Sequence, residues 1–419
     1  MKRRSRLIAA IAAMMAAAWG AAPARLLADD YDLEVGGSEA AQVIEDAYCD
    51  TCNDCDACCD MGCGTGLWFG EGEALLWWRK SRSLPPLVTA SPPGTPQANA
   101  GVLGLPTTSV LFGNDNLSDG PRIGGRFSIG RFLDAGQEVA IAGSFFILEQ
   151  EEHNFAADGS AGLLAIPFFN AGLVTPAEGS LLLNFPGVSQ DGRVNINSQS
   201  DVMGADVYLR KLLIQDVDYR IDLIGGYQFS RVDDGLTINA NYNDVSGLPA
   251  ENVNITDSFL AQNEFHGGSI GLLAYGDYGR WTLKGLAKVG LGNMHQTVQV
   301  GGQTVTSTAG GASTTTPSGL FSLPSNIGSY SQDEFGVIPE AKLNLGYRWN
   351  QNWTFAVGYS FIYWNNIATA GTALDRNINL TQVPGPPGLG TALVPAAPTF
   401  DNNPDFWVQG LNFSAEFAY

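Results

Sequence analysis

The sequence is short of charge, of basic residues and of histidine. Only 15% of its 419 residues are charged, and 42 Asp and Glu outnumber 22 Lys and Arg, which gives a formal net charge of −20. Average soluble domains are about 25% charged, and proteins that bind nucleic acid need a basic surface. The composition therefore excludes a nucleic-acid partner. With 45% hydrophobic residues and a mean hydropathy near zero, the chain is also too apolar to be disordered.

Apolar runs long enough to cross a membrane as a helix are missing. The most apolar segment is at the N-terminus, where four basic residues within 2–6 precede the apolar stretch 7–19 and small residues follow. This pattern is typical of a secretory signal peptide and is too short for a spanning helix. We assign residues 1–28 to the signal peptide and expect the protein to be exported.

Cysteine is confined to one short stretch. All six cysteines lie between positions 49 and 63, and segment 29–65 contains eleven acidic residues but no Lys or Arg. We interpret this segment as an acidic, cysteine-rich periplasmic tail. Its candidate disulfide or metal-binding residues are Cys49, Cys52, Cys55, Cys58, Cys59 and Cys63.

Three chemistries fit this cluster. Disulfides, within the tail or between chains, are favoured because an exported protein meets an oxidising compartment and the number of cysteines is even. Four thiolates are also a suitable ligand set for zinc or another soft metal. The spacing from Cys49 to Cys59 matches that of bacterial iron–sulfur proteins, but Asp60 stands where a proline usually follows. We predict disulfides, leave metal binding open and predict no cofactor.

After Gly66 the sequence alternates. Within 353–363 every second residue is large and apolar, whereas the residues between them are small or polar. Successive side chains of a strand point to opposite faces, so this pattern indicates a strand with one apolar face. The alternation predicts ten strands, at approximately 66–81, 121–133, 137–150, 193–215, 218–240, 258–276, 280–300, 331–349, 352–368 and 404–419.

The connections distinguish a membrane barrel from a soluble sandwich. Links after the even-numbered strands have two or three residues, whereas links after the odd-numbered strands are on the order of 15–40 residues. Aromatic residues also cluster near the strand ends. Both features are typical of outer-membrane barrels. We predict an all-β transmembrane antiparallel barrel over 66–419, with ten strands (twelve as the alternative) and both termini in the periplasm. The predicted outer loops are 82–120, 151–192, 241–257, 301–330 and 369–403.

The C-terminus carries a candidate assembly signal. Alternate residues remain apolar to the end of the chain, including Phe413, Phe417 and the terminal Tyr419. Such a strand resembles the signal that the bacterial barrel-assembly machinery reads, which makes this machinery and outer-membrane lipid the expected partners.

Several segments resemble the β-barrel porin type seven family of bacterial outer-membrane proteins. The resemblance covers most of the chain after Gly66 and is looser in the middle. It is carried by 72–92 ("GEALLWWRKSRSLPPLVTASP"), 100–104, 109–113, 122–134 ("RIGGRFSIGRFLD"), 336–349, 357–366 and 405–417. The resemblance implies a closed barrel in the outer membrane, and it implies neither a defined substrate nor any functional residue.

The alternate residues that form the polar face of each strand are predicted to line the lumen. A ten-stranded barrel is close to the size that side chains fill, although small inward residues are expected to leave some space. The charges are either a selectivity lining or a structural network of ion pairs. The candidates are Glu71, Glu73, Arg122, Arg126, Asp206, Arg210, Arg220, Asp222, Lys284, Lys288, Glu340, Lys342 and Arg348.

The sequence predicts no enzyme. A G-x-S-x-G match around Ser269 lies inside an alternating strand rather than at the strand-to-helix turn that a nucleophile elbow needs, and His153 has no nucleophile beside it. The leading hypothesis is a porin-like barrel with narrow or gated passage of small solutes. The alternative is a structural or adhesive envelope protein with a closed barrel, in which the outer loops bind other molecules and the cysteine tail self-associates or cross-links.

Deleting Tyr419 should impair outer-membrane assembly, because it removes the terminal aromatic residue of the candidate signal. The measurement is the amount of folded protein in outer-membrane fractions, compared with full-length chain expressed at the same level. Normal insertion of the deletion variant would contradict the assignment.

Overall fold

The structure is a computed structural model. It describes residues 67–114, 116–117, 120–173, 175–308, 311–380, 395–400 and 403–418. The predicted signal peptide, the cysteine-rich tail and Tyr419 lie outside these residues, and the predictions made for them stay predictions.

Strands dominate the described chain. They are β1 (Trp68–Arg79), β2 (Arg82–Ser83), β3 (Val88–Ser91), β4 (Ser109–Phe112), β5 (Asn116–Leu117), β6 (Arg122–Phe132), β7 (Val139–Leu148), β8 (Glu151–Asp158), β9 (Leu163–Asn170), β10 (Ala177–Leu182), β11 (Ser189–Gln215), β12 (Tyr219–Asp244), β13 (Glu251–Tyr278), β14 (Trp281–Thr308), β15 (Ser313–Thr316), β16 (Gly328–Arg348), β17 (Trp353–Trp364), β18 (Asn377–Ile378) and β19 (Phe406–Ala418). The helical elements are two 3₁₀ turns, Gln97–Asn99 and Gly159–Ala161, and one short α-helix, α1 (Ala370–Ala373). No described helix has the length and apolar character needed to cross a membrane.

Ten of the strands form a closed antiparallel ring. The order around it is β1, β6, β7, β11, β12, β13, β14, β16, β17 and β19. The first and last strands close the ring along almost their whole length, from Phe69 opposite Ala418 to Arg79 opposite Val408. The predicted all-β barrel of ten antiparallel strands is confirmed.

The two ends of the barrel differ in their connections. At one end, which we call the turn end, the strands are joined by short links such as 216–218 and 279–280. At the opposite end, the loop end, long segments such as 80–121 and 365–405 connect them. One predicted loop is wrong: within 241–257 the strands β12 and β13 continue, and only 245–250 connects them. Both strands keep alternating there because their inner face still packs on an apolar core, described below.

The outer surface of the ring carries a lipid-facing band. Outward residues such as Phe127, Phe355 and Val357 are apolar and about half exposed. Aromatic residues mark its limits, with Trp281 and Trp353 at the turn end and Phe335 towards the loop end. Along β16 the distance from Phe335 to the turn end corresponds to about 30 Å at a rise of about 3.3 Å per residue and a tilt of about 40°. This height suits the hydrocarbon layer of a membrane.

A folded cap covers the loop end. The strands β11 to β14 extend beyond the lipid-facing band and pack, with a small sheet of β3, β4, β9, β10 and β18, around a second apolar core. Leu164, Phe259 and Phe321 are fully buried in it. The long loops of this end therefore form a structured domain, which we call the cap.

One buried carboxylate fixes the cap to the wall. Asp257 of β13 accepts hydrogen bonds from the backbone N–H groups of Leu320, Phe321 and Ser322, at 3.2, 2.9 and 2.7 Å, and from the Ser322 hydroxyl at 2.5 Å. Burial raises the pKa of the Asp257 carboxyl, and these hydrogen bonds oppose that shift. The segment 318–326 is thereby held against β13.

The variant Asp257→Asn should loosen this segment. The amide presents an N–H₂ group where a carboxylate oxygen accepted, so a buried donor loses its partner at a cost of about 1–3 kcal/mol. Limited proteolysis of the folded protein should cut within 318–326 faster than in the wild type. The matched control is Asp333→Asn, since Asp333 is solvent-exposed on β16. Equal cleavage rates in all three proteins would contradict the role given to Asp257.

Candidate functional site

The thirteen predicted lumen residues all lie on the inner face of the ring. They are Glu71, Glu73, Arg122, Arg126, Asp206, Arg210, Arg220, Asp222, Lys284, Lys288, Glu340, Lys342 and Arg348. Strand alternation explains this placement, since the lipid-facing side excludes charge at a cost of about 2–4 kcal/mol for each basic residue at the midplane. The structure shows in addition how these groups meet across the lumen.

The first cluster joins β1 to β14 and β16. The ammonium group of Lys342 lies 2.5 Å from Glu73 and 3.2 Å from Glu71. Lys284 in turn lies 2.6 Å from Glu71 and 3.0 Å from Glu416 of the last strand. Each carboxylate on β1 thus faces a lysine on the opposite wall, which ties the two sides of the barrel together.

A second cluster crosses the lumen beside the first. Lys288 lies 3.2 Å from Asp206 and 3.0 Å from Glu340, and Arg126 lies 3.1 Å from Glu340. The guanidinium of Arg126 also stacks over the rings of Trp77 and Phe146, each at 5.3 Å. Its charge is therefore balanced by the Glu340 carboxylate, and the faces of the two aromatic rings stabilise it further.

A third cluster stands nearest the turn end. Asp222 accepts from Arg210 at 2.6 Å and from Arg220 at 2.8 Å. The Arg210 guanidinium is surrounded by the rings of Phe69, Phe132 and Tyr275, at 5.6, 5.3 and 4.8 Å. At the rim, Arg348 pairs with Asp277. The lumen charges are consequently paired with one another, as expected of a structural network.

The clusters border a cavity that opens at the turn end. We call it the vestibule; its volume is about 330 Å³. Its lining is mixed, since the apolar Ile224 and Leu273 lie on β12 and β13 and the basic Lys284 and Lys288 lie on the neighbouring β14. Asn352, from a turn between strands, and Ala418, at the end of β19, line its mouth. This volume has room for several water molecules.

An apolar layer, which we call the seal, lies between the vestibule and the cap. Every barrel strand except β6 contributes to it, and Trp77, Phe265 and Trp364 are at most 1% exposed. The indole N–H groups find partners within the wall, since Trp77 donates to Asn412 at 2.9 Å and Trp364 to Ser230 at 2.8 Å. The members of the seal are Leu75, Trp77, Phe146, Leu148, Val202, Val232, Phe265, Met294, Ile338, Ile362, Trp364, Ile367, Phe406 and Val408.

Inward glycines make room for this layer and leave little space in the lumen. A Cβ atom added at Gly204 would collide with the ring of Phe146, and one at Gly130 with the ring of Phe69. At Gly336 it would lie 2.8 Å from the ring of Phe265. At these three glycines aromatic rings fill the space, those of Phe146 and Phe265 in the seal and that of Phe69 beside the vestibule. The expectation that small inward residues leave space is wrong there.

Three polar residues above the seal, Arg82, Asp234 and Asn263, were not among the predicted site residues. Arg82 lies 2.8 Å from Asp234, and the Asn263 side chain donates to the Ala368 carbonyl at 2.9 Å while accepting from the Ala368 N–H at 2.8 Å. Asp234 and Asp222 lie on the same face of β12 because an even number of positions separates them, so alternation could have predicted that Asp234 faces inwards. The inward course of 365–374 had no such signal, because it depends on partners from distant strands.

The remaining candidates lie away from the lumen network or make no catalytic arrangement. His153 lies on β8, 3.6 Å from Glu151, and Ser269 is buried within β13. Phe413 and Phe417 project outwards from β19 and are partly exposed. Among the described residues, no group of three or more His, Cys, Asp or Glu side chains is placed to hold a metal ion.

Replacing Lys342 with methionine should destabilise the barrel strongly. The change leaves the buried Glu71 and Glu73 carboxylates short of a partner, and breaking a buried ion pair costs about 3–5 kcal/mol. The measurement is the free energy of unfolding in urea. The double variant K342M/E73Q should recover part of the loss, and Arg231→Met, which removes a more exposed pair, should cost about 1 kcal/mol or less. A stable K342M protein, or a double variant no better than the single one, would contradict this reading.

Comparison with solved structures finds outer-membrane proteins of low identity. The outer-membrane protease OmpT of Escherichia coli is 10% identical, with coverage of 84% of this chain and 96% of the other and a TM-score of 0.40. A loop-deletion mutant of OmpT of Vibrio cholerae is 7% identical (84% and 98% covered, TM-score 0.18), and the toluene transporter TodX of P. putida is 9% identical (84% and 89%, TM-score 0.18). None of these TM-scores reaches 0.5, so the fold assignment rests on the closed ring of strands.

The match to a protein family is far more extensive. Comparison with curated proteins gives no match. The family described as Putative beta barrel porin-7 (BBP7) matches residues 69–419, which includes all ten barrel strands except the first residue of β1. With this extent of match, and with the ring of strands that such a name implies, the chain belongs to the BBP7 family of outer-membrane β-barrel porins.

Proposed function

We propose that this protein is a sealed outer-membrane barrel with a structural or surface role. In this proposal the barrel anchors the cap, and the cap is the part that meets other molecules. Narrow or gated passage of small solutes, the leading hypothesis from the sequence, becomes the second candidate. No catalytic role is part of either candidate.

The observation that carries the proposal is the seal. Its side chains come from all around the ring and are buried, and the inward glycines that would otherwise widen the lumen accommodate its rings. Close-packed apolar layers exclude water, and an ion or a polar solute crossing this layer would have to give up its hydration. The vestibule therefore ends below the seal instead of continuing to the cap.

The difference between the two ends supports an orientation. Outer-membrane barrels have short turns at the periplasmic side and long loops outside. We therefore place the turn end, the vestibule and both termini in the periplasm and the cap at the cell surface. The acidic cysteine-rich segment that precedes β1 in the chain then lies in the compartment where disulfides form, and cross-linking or self-association through it belongs to the same proposal.

One observation favours the gated alternative. Ile367, a member of the seal, belongs to the loop segment 365–374 and not to the wall. Side chains of the wall hold this segment, with Asn263 on Ala368 and the Asp234 carboxylate accepting from the Ala370 N–H at 2.9 Å. Movement of the segment would open part of the seal.

Single-channel recording distinguishes the two candidates. Purified full-length protein reconstituted in planar bilayers should give no discrete conductance steps across salt and voltage, because the seal blocks ions. The variant Asn263→Ala, which frees the loop segment from two of its hydrogen bonds, should also be silent if the role is structural.

Steps from the wild-type protein would overturn the sealed barrel and support a porin. Steps from Asn263→Ala alone would support gated passage. A porin of known conductance, inserted in the same bilayers, shows that the recording detects open barrels, and heat-modifiable migration on gels shows that each sample is folded.

A further inference from the structure

The outer surface of the cap contains an area without charge. On the extensions of β11, β12, β13 and β14, one row of neighbours across the strands is Asn195, Asn239, Thr256 and Gln303, and the next row includes Asn197 and Thr237. We call these six residues the amide face. All of them are at least partly exposed.

The amide face has unused hydrogen-bonding capacity. Thr256 donates to the Asn239 side-chain oxygen at 2.9 Å, and Asn197 donates to that of Asn154 at 2.9 Å. Among the described residues, Asn195 and Gln303 make no side-chain hydrogen bond. Each carboxamide offers two donors and an acceptor with two lone pairs, so most of this capacity is open to a partner.

The surroundings define what kind of partner fits. Ionisable groups border the amide face: Asp201, Arg231 and Asp233 lie towards the lipid-facing band, and Arg193, opposite Asp158 of β8, lies beside Asn195 on the other side. Protein surfaces are normally about 25–35% charged, but none of the six residues of the amide face is ionisable. The six residues themselves offer no charge to an ionic partner and no aromatic anchor of the kind that dominates protein interfaces, and the charge of Arg193 at their edge is opposed by Asp158.

We propose that the amide face binds neutral saccharide chains. A polyhydroxylated chain presents donors and acceptors at short intervals, which matches an array of amides and hydroxyls, and it needs neither charge nor apolar burial. The inner side of the same strands packs on the cap core through Ile196, Ile238 and Ile255, so the array is held in a fixed geometry. This pre-organisation lowers the entropy lost on binding.

The position of the amide face suits such a partner. On β12 it lies beyond Phe229 of the lipid-facing band, at a height of about 20–25 Å for a rise of about 3.3 Å per residue and a tilted strand. Sugar chains anchored on the membrane and free extracellular polysaccharides share the chemistry required. Saccharide binding is independent of whether the barrel conducts ions. The saccharide proposal can therefore fail while the sealed barrel stands, and the sealed barrel can fail while saccharide binding stands.

The test is affinity electrophoresis of the full-length folded protein in gels containing neutral dextran or galactomannan, with dextran sulfate as the charged comparison. We expect at least one neutral polymer to retard the protein and dextran sulfate to retard it no more. The variant N195V/N239V/T256V removes the polar groups of one row while keeping residues that suit strands, and it should lower the affinity at least tenfold.

The control is Asn293→Val, which removes an amide from the same side of β14 but outside the amide face, and it should bind like the wild type. The proposal is overturned if no neutral polymer retards the wild type, if only dextran sulfate does, or if the row variant binds unchanged. Once binding is established, dextran binding is compared between protein in nanodiscs that contain glycolipid and protein in nanodiscs that lack it. Weaker dextran binding in the presence of glycolipid indicates membrane-anchored sugar as the ligand, and equal binding indicates free polysaccharide.

Discussion

The hydrogen bonds between β1 and β19 close the barrel, and the rest of the structure depends on this closure. In hydrocarbon an unpaired backbone N–H or C=O costs several kcal/mol, so a sheet that spans a membrane has to leave no open edge. The ring meets this condition with ten strands. Its circumference then fixes the space inside, and every inward side chain has to fit within that space.

The narrow interior explains both the ion pairs and the seal. Charged residues face inwards because lipid excludes charge from the outer face. In a barrel of this width, their side chains then lie within a few ångströms of the opposite wall. Glu71 and Glu73 of β1 accordingly meet Lys284 and Lys342 of β14 and β16. Further along the barrel the inward residues are large and apolar, and glycines such as Gly204 leave room for their rings. Charge balance and packing density are thus two consequences of one diameter.

In the cap, the same strands have left the lipid-facing band and are surrounded by water. Beyond the lipid-facing band, the inner face of β11 to β14 stays apolar because it packs on loops, whereas the outer face becomes polar because it meets water. The protein therefore combines a barrel and a folded cap in continuous strands. The proposed structural or binding role and the proposed sealed lumen are consistent with each other in this arrangement.

The sequence by itself determined the strand number, the alternation of turns and loops, and which charged residues face inwards, because these depend on local periodicity and on the cost of placing charge in lipid. It did not determine whether the inward glycines leave a pore or receive aromatic rings, nor that 365–374 folds into the barrel and 241–257 continues as strands. Those features depend on partners far apart in the chain, such as Phe146 with Gly204 and Asn263 with Ala368. Only the tertiary structure decides them, since closing the ring brings such residues to the same level of a lumen too narrow to hold them apart.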